Sequence, residues 1–182
     1  PRVARDVRPV RKPIIPNNVL GMVVFVMTEV MFFSGLVSAY IIGEGQAEGG
    51  WPPPGQPRLP IEGTALNSVA LLLSGVALFL AGRALRAGLL DRTKRLFLGA
   101  IVLGAVFVIV QGIEWVGLLS EGLTLTYSTH GSFFYLIVGL HALHAVTALG
   151  ALGWAFGRLR RGALVTSTFT AVQVFWTFVV AV

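Results

Sequence analysis

The sequence predicts an all-α, polytopic membrane protein, a bundle of five transmembrane helices, and three observations carry that expectation. Of 182 residues, 55% are hydrophobic and only 12% charged, and the mean hydropathy is +0.80, a balance far from that of an ordinary soluble domain. A bilayer core of roughly 30 Å takes about 20 apolar residues as a helix, and runs of that length recur at 19–42, 64–82, 96–119, 131–157 and 163–182. Between them lie prolines, glycines and short clusters of charge.

The elements follow in order. Pro13 and Pro16 precede the first run, which is free of charge except for Glu29 in the stretch TEVMFF. Pro52, Pro53, Pro54, Pro57 and Pro60 crowd the loop after it, where a helix cannot continue. The second, third and fourth runs carry small residues four apart, as in Ala70/Ser74, Ala100/Gly104 and Gly153/Gly157. That spacing lets helix backbones approach closely in lipid. The fifth run, 163–182, reaches the last residue given. There is no internal repeat, so the expected organisation is a cytoplasmic basic segment at residues 1–18 and one five-helix domain at 19–182. The first run is too long for the apolar core of a signal peptide and is expected to stay as a span.

Charge sets the expected direction. Arg2, Arg5, Arg8, Arg11 and Lys12 precede the first run, Arg83, Arg86, Arg92, Lys94 and Arg95 surround the link between the second and third, and Arg158, Arg160 and Arg161 follow the fourth. Thirteen of the 14 basic residues thus fall on one side, against Arg58 alone on the other. By the positive-inside rule the N-terminus is expected in the cytoplasm and the C-terminus outside. The net charge of +6 therefore reflects topology rather than a nucleic-acid surface.

Few polar groups remain inside. Glu29 lies near the middle of its run, with Phe25, Phe32 and Phe33 about one turn away, so it is expected to be a buried carboxyl held as the neutral acid. Gln111 and Glu114 share a stripe near the outer end of the third run, and His141 and His144 share one on the fourth, continued by Thr147. The spacing is consistent with a polar seam between these two helices, with a histidine bonded to Glu114. His130 falls at the outer mouth of the fourth run. Cysteine is absent, which excludes disulfides and thiolate metal sites. A bis-histidine haem draws ligands from two helices, whereas all three histidines sit on or beside one. A di-iron carboxylate bundle uses Glu-x-x-His pairs, which are missing. No metal ligand is therefore assigned. A transporter commonly shows inverted repeats and broken helices at mid-membrane; five uninterrupted spans fit an auxiliary subunit of a larger complex better.

Taken in order, GMVVFVMTEVMFFSGLVSAY (21–40), WPPPG (51–55), LNSVALLLSG (66–75), VQGIEW (110–115) and HGSFFYLIVGLHALH (130–144) resemble subunit III of the haem-copper cytochrome c oxidases. The resemblance implies a five-helix form of a family that commonly has seven helices and a lipid-filled cleft. It implies a chain without a redox centre, with haem and copper in partner subunits, that binds oxidase subunits I and II and structural phospholipids in the bacterial plasma membrane. Membership of a respiratory supercomplex is left open. Glu29 matches the family's carbodiimide-reactive acid, linked to proton uptake, and Phe25, Trp51 and Arg158 are implied lipid contacts. Glu114, His141 and His144 also match family positions. TAVQVFW (170–176) departs from the family's W-H-F-V-D-V-V-W segment, with Thr170 and Gln173 where histidine and aspartate would fall. Related subunits serve quinol oxidases and nitric-oxide reductase systems, so that branch stays open, as does an independent proton-coupled transporter.

Overall fold

A computed structural model describes residues 14–47, 61–120 and 129–182. They form five α-helices, α1 (Asn17–Gly45), α2 (Ile61–Arg86), α3 (Leu90–Ser120), α4 (Thr129–Arg160) and α5 (Thr166–Ala181). The first four are long and apolar enough to cross a membrane. The Pro-rich loop with Trp51 lies outside the described residues.

Two turns are fixed by glycine. Gly88 has φ of 73° and Gly162 has φ of 68°, a left-handed conformation that an L side chain adopts only under strain. After α2, Leu89 N–H donates to Ala84 O and Gly88 N–H to Leu85 O; after α4, Ala163 N–H donates to Arg158 O and Gly162 N–H to Leu159 O. This paired pattern satisfies carbonyls that the last helical turn leaves open. The Arg158 side chain closes the second turn by donating to Ala163 O from Nε and Nη2 at 3.2 and 3.1 Å.

That turn also corrects the expected fifth span. The apolar run begins at residue 163, but Ala163, Leu164 and Val165 form the exit from the glycine turn, and α5 has only 16 residues.

α5 nevertheless sits at the centre. Phe169, Phe175, Trp176, Phe178 and Val179 are buried, among α4, α2 and α1. Pairings such as Asn18 with Ser167 and Phe25 with Phe175 make α1 parallel to α5, while Ser74 with Trp176 and Gly82 with Phe169 make α2 antiparallel to it. The beginning of α1, the α2–α3 turn and the α4–α5 turn therefore share one end, where the basic residues gather.

Each core-facing helix presents a seam at helical spacing, as in Leu71, Ser74, Leu78 and Ala81 on α2, or Ala145, Ala148, Leu152 and Ala155 on α4. Lipid is as apolar as these side chains, so close packing and interhelical hydrogen bonds must supply the attraction between helices. Gly104 shows the closeness: a Cβ there would lie 2.6 Å from the Trp176 ring. Ser74, fully buried, donates to Ala100 O at 2.7 Å and accepts from Trp176 Nε1 at 3.0 Å, joining α2, α3 and α5. Gly153 and Gly157, by contrast, have nothing within 4 Å of an added Cβ. Their spacing brings no partner helix close.

α1 is the peripheral helix. It packs on α5 and α4, buries only Phe33, and leaves Leu20, Met27, Met31 and Ile41 exposed.

Candidate functional site: a carboxyl–imidazole pair and a second polar cluster

Phe25, Glu29 and Phe33 recur every four residues, which puts them on one stripe of α1. That stripe meets His144 of α4, whose Nε2 lies 3.2 Å from Glu29 Oε2. The His144 side chain is 13% exposed and that of Glu29 20%, so solvent and lipid reach little of the pair. The other ring nitrogen, Nδ1, lies 2.7 Å from Leu140 O, one turn back on its own helix. A carbonyl oxygen only accepts, so this contact places a proton on Nδ1 and leaves Nε2 as the atom that exchanges with the carboxyl. The carboxyl and Nε2 thus face each other at hydrogen-bond distance.

The surround of the pair is aromatic. Phe33 and Phe178 present edges to the His144 ring at centroid distances of 5.6 and 5.7 Å, and Phe175 at 6.3 Å. Phe25 stacks over it at 6.4 Å. Phe175 and Phe178 come from α5, three residues apart. Sequence reading missed them as site residues, since buried positions spread over at least half of the circumference of α5 and no narrow stripe marks them out.

The expected seam between the third and fourth spans does not form. Glu114 Oε2 instead accepts from Gln111 Nε2 at 3.2 Å and Thr64 Oγ1 at 3.3 Å, and buried Asn67 donates to Phe107 O at 3.1 Å and Gln111 Oε1 at 3.5 Å. This polar ladder ties α3 to α2. His144 turns to α1, and His141 Nδ1 is buried without a hydrogen-bond partner. Trp176 of α5 and Leu149 of α4 both lie against Gly104 of α3, and a cavity of about 790 Å³ is lined by Glu114 on one wall and His141 on the other. Glu114, Trp115 and His141 line it, together with Val179, Val180 and Ala181 of α5 and Val182. Trp115 Nε1 is also buried without a partner. Gly63 accommodates the ladder, since a Cβ there would meet Glu114 Oε1 at 2.6 Å.

The remaining expected site residues are dispersed. Phe25 belongs to the carboxyl–imidazole site, with an edge contact to Phe175 at 5.8 Å. Arg158 sits at the basic end, its guanidinium 5.3 Å from the Trp154 ring centroid. Thr147 donates to Leu143 O of its own helix. Trp51 is outside the described residues, and His130 falls in the first turn of α4. Among the described residues no three His, Asp or Glu side chains converge as a metal-binding group.

Comparison with known proteins bears on what such a site belongs to. The family model described as cytochrome c oxidase subunit III matches residues 11–182. A protein of Nocardia farcinica called probable cytochrome c oxidase subunit 3 is 31% identical over 173 residues, covering 90% of this chain and 82% of its own length. A similarly named Mycobacterium leprae protein is 32% identical, with the same coverage of 90% and 82%. The mouse cytochrome c oxidase subunit 3 is 31% identical over 140 residues, 74% of this chain and 52% of the mouse protein.

Proposed function

This chain belongs to the cytochrome c oxidase subunit III family, and from that premise we propose that it is the non-redox subunit III of a bacterial haem-copper cytochrome c oxidase, in which it binds subunits I and II and phospholipid and supports proton uptake, oxygen supply and the stability of the complex. Membership makes it a multi-pass membrane protein and part of an oxidase complex. In this reading the complex reduces oxygen with electrons from cytochrome c and translocates protons. Haem and copper belong to the partner subunits. The chain lies in the plasma membrane with its basic end in the cytoplasm, by the positive-inside rule. The names of its relatives support cytochrome c rather than quinol as donor.

The observation that carries the proposal is the Glu29–His144 pair. A carboxyl within 3.2 Å of an imidazole Nε2, in an aromatic surround at mid-helix, can accept or release a proton by moving it over one hydrogen bond. Leu140 O holds Nδ1–H in place, so the ring need not turn. Ionisable groups at this depth are costly and tend to serve proton or ion pathways. The pair borders α1, whose exposed apolar face supplies a surface for subunit I and lipid. Phe25, Trp51 and Arg158 are the lipid contacts of this reading.

Glu29→Gln keeps the shape of the side chain and removes its titratable proton. In the assembled oxidase, haem spectra should persist, oxygen consumption should continue at a reduced or near-normal rate, and carbodiimide labelling of this chain should vanish. The defect should appear as fewer protons translocated per electron or a shorter lifetime in turnover. A proton donor in the chemical step would instead cost about 10²–10⁴-fold in rate. Loss of oxygen reduction of that size in a fully assembled complex overturns the accessory role. An a-type haem spectrum in the complex co-purified with this chain supports the proposal, and a colourless monodisperse chain refutes it.

A further inference from the structure

α5 is covered on every side but one. Phe169, Val172, Phe175, Trp176, Phe178 and Val179 are buried, whereas Thr166, Thr170, Gln173 and Thr177, spaced by four, three and four residues, share the opposite stripe of the helix. Thr166 and Thr177 are exposed, and Thr170 and Gln173 are half-buried. To one side of the stripe Ser167 and Phe178 meet Asn18 and Phe33 of α1; to the other Phe169 and Val180 lie against Gly82 and Gly75 of α2. α1 and α2 both pack on α5, but among the described residues they do not touch each other. The stripe is therefore the floor of a groove between α1 and α2, and the function proposed above makes no use of it.

One group on that floor lacks a partner. Thr170 and Thr177 donate to Thr166 O and Gln173 O of their own helix at 3.0 and 2.8 Å, but the Gln173 amide makes no hydrogen bond among the described residues. It is held over Gly82, where an added Cβ would lie 3.1 Å from Oε1 and 3.4 Å from Nε2. Ser74 stands at the middle of α2, and Gly82 is eight residues or about 12 Å along the helix from it. The amide thus sits inside a hydrocarbon core that extends about 15 Å to either side of its midplane. It offers two donors and an acceptor oxygen, and leaving them unpaired in an apolar medium is unfavourable.

We propose that the groove receives one transmembrane helix of another subunit of the complex, an apolar helix carrying an amide or hydroxyl side chain that hydrogen-bonds the Gln173 amide. The inference rests on the chain's place in an oxidase complex and adds the face that it presents and the chemistry that this face selects. An acyl chain would fill the groove but offers nothing to an amide. A second copy of this chain fails on shape, because a two-fold contact brings the same patch of both copies together and two recessed floors cannot meet. A helix meets both demands: the threonines let its backbone come close, and an interhelical hydrogen bond selects one partner where apolar contact alone does not.

Phe79 shares the Gly75–Gly82 face of α2, four residues from one and three from the other, and is 54% exposed; Ile109 of α3, 61% exposed, serves as the control. Each is replaced in turn by photoreactive p-benzoylphenylalanine, the complex is irradiated in native membranes, and the adducts are mapped by peptide mass spectrometry. The probe at position 79 should capture an apolar segment of another subunit that contains Asn, Gln, Ser or Thr, and the probe at 109 should not capture that segment. Thr177→Trp, which puts an indole on the groove floor at an exposed position, should abolish the capture. In mild detergent Gln173→Leu should raise the dissociation constant for the captured subunit by about 3- to 10-fold, the effect of one neutral hydrogen bond. In an SDS titration of the chain alone the same variant should be neutral or stabilising, since the amide has no partner within the chain. Adducts at position 79 confined to lipid, or to a second copy of this chain, overturn the proposal, and so does a Gln173→Leu loss in the chain alone as large as that in the complex. Any of these results in a complex that keeps its haem spectrum leaves the proposed function standing; a colourless chain without other subunits overturns both.

Discussion

The tie between Ser74, Ala100 and Trp176 can be broken in a way whose size follows from its geometry. Ser74→Ala removes one hydroxyl that donates at 2.7 Å to Ala100 O and accepts at 3.0 Å from Trp176 Nε1. Ala100 O sits in the middle of α3, where its own helix can satisfy it, so that loss is small. Trp176 is fully buried, and its indole N–H would be left without an acceptor, at about 1–3 kcal/mol. Trp176→Phe removes the donor together with ring atoms that pack on Gly104, and a large-to-small change of this kind costs a few kcal/mol through lost contacts and a residual cavity. In the Ser74→Ala background the indole N–H is already unsatisfied, so Trp176→Phe should cost less there, by about 0.6–1.7 kcal/mol, from the average to the maximum for interhelical hydrogen bonds in a membrane. The assay is an SDS titration of the purified chain in mild micelles, followed by far-ultraviolet circular dichroism, for the parent, both single variants and the double variant. Strictly additive costs would refute the idea that this hydrogen bond joins α2 to α5.

Further outcomes test the rest of the molecule. With no native cysteine, Gly45→Cys at the end of α1 should react with an impermeant maleimide on intact cells, and Leu89→Cys in the α2–α3 turn only after permeabilisation; the reverse pattern overturns the orientation. Gly104→Ala places a methyl 2.6 Å from the Trp176 ring and should destabilise by about 1–3 kcal/mol, whereas Gly99→Ala, with nothing within 4 Å, should be neutral or mildly stabilising in the same SDS titration. Glu114 and His144 share no partner, so the effects of Glu114→Ala and His144→Ala on subunit retention should add. Glu114→Ala and Gln111→Leu should not, because Gln111 bonds Glu114 directly; a strong coupling between Glu114 and His144 would restore the seam expected from sequence.

Much of this architecture is legible in the sequence because the bilayer is a demanding solvent. A run of about 20 apolar residues must be a helix there, since only a helix satisfies its own backbone. Hence all five elements were foreseen, and so was the gathering of basic residues at one end. The two glycine turns are readable too, as single glycines within short basic links. The isolation of Glu29 and the pairing of His141 with His144 on one stripe follow from residue spacing alone. Spacing along one helix, however, says nothing of which neighbour a stripe will face. Glu114 was expected to meet a histidine and found Thr64 and Gln111; His144 found Glu29 instead. α5 takes part in that choice through Phe175 and Phe178, which pack on the His144 ring, and through Trp176, which lies against Gly104 of α3. Hydrophobicity is blind to these, because in lipid every apolar face is equally content and only shape and hydrogen bonding select a partner. Sequence determined that the chain crosses the membrane and which groups it carries inside; tertiary packing decided which of those groups lie within hydrogen-bond distance of one another and which do not.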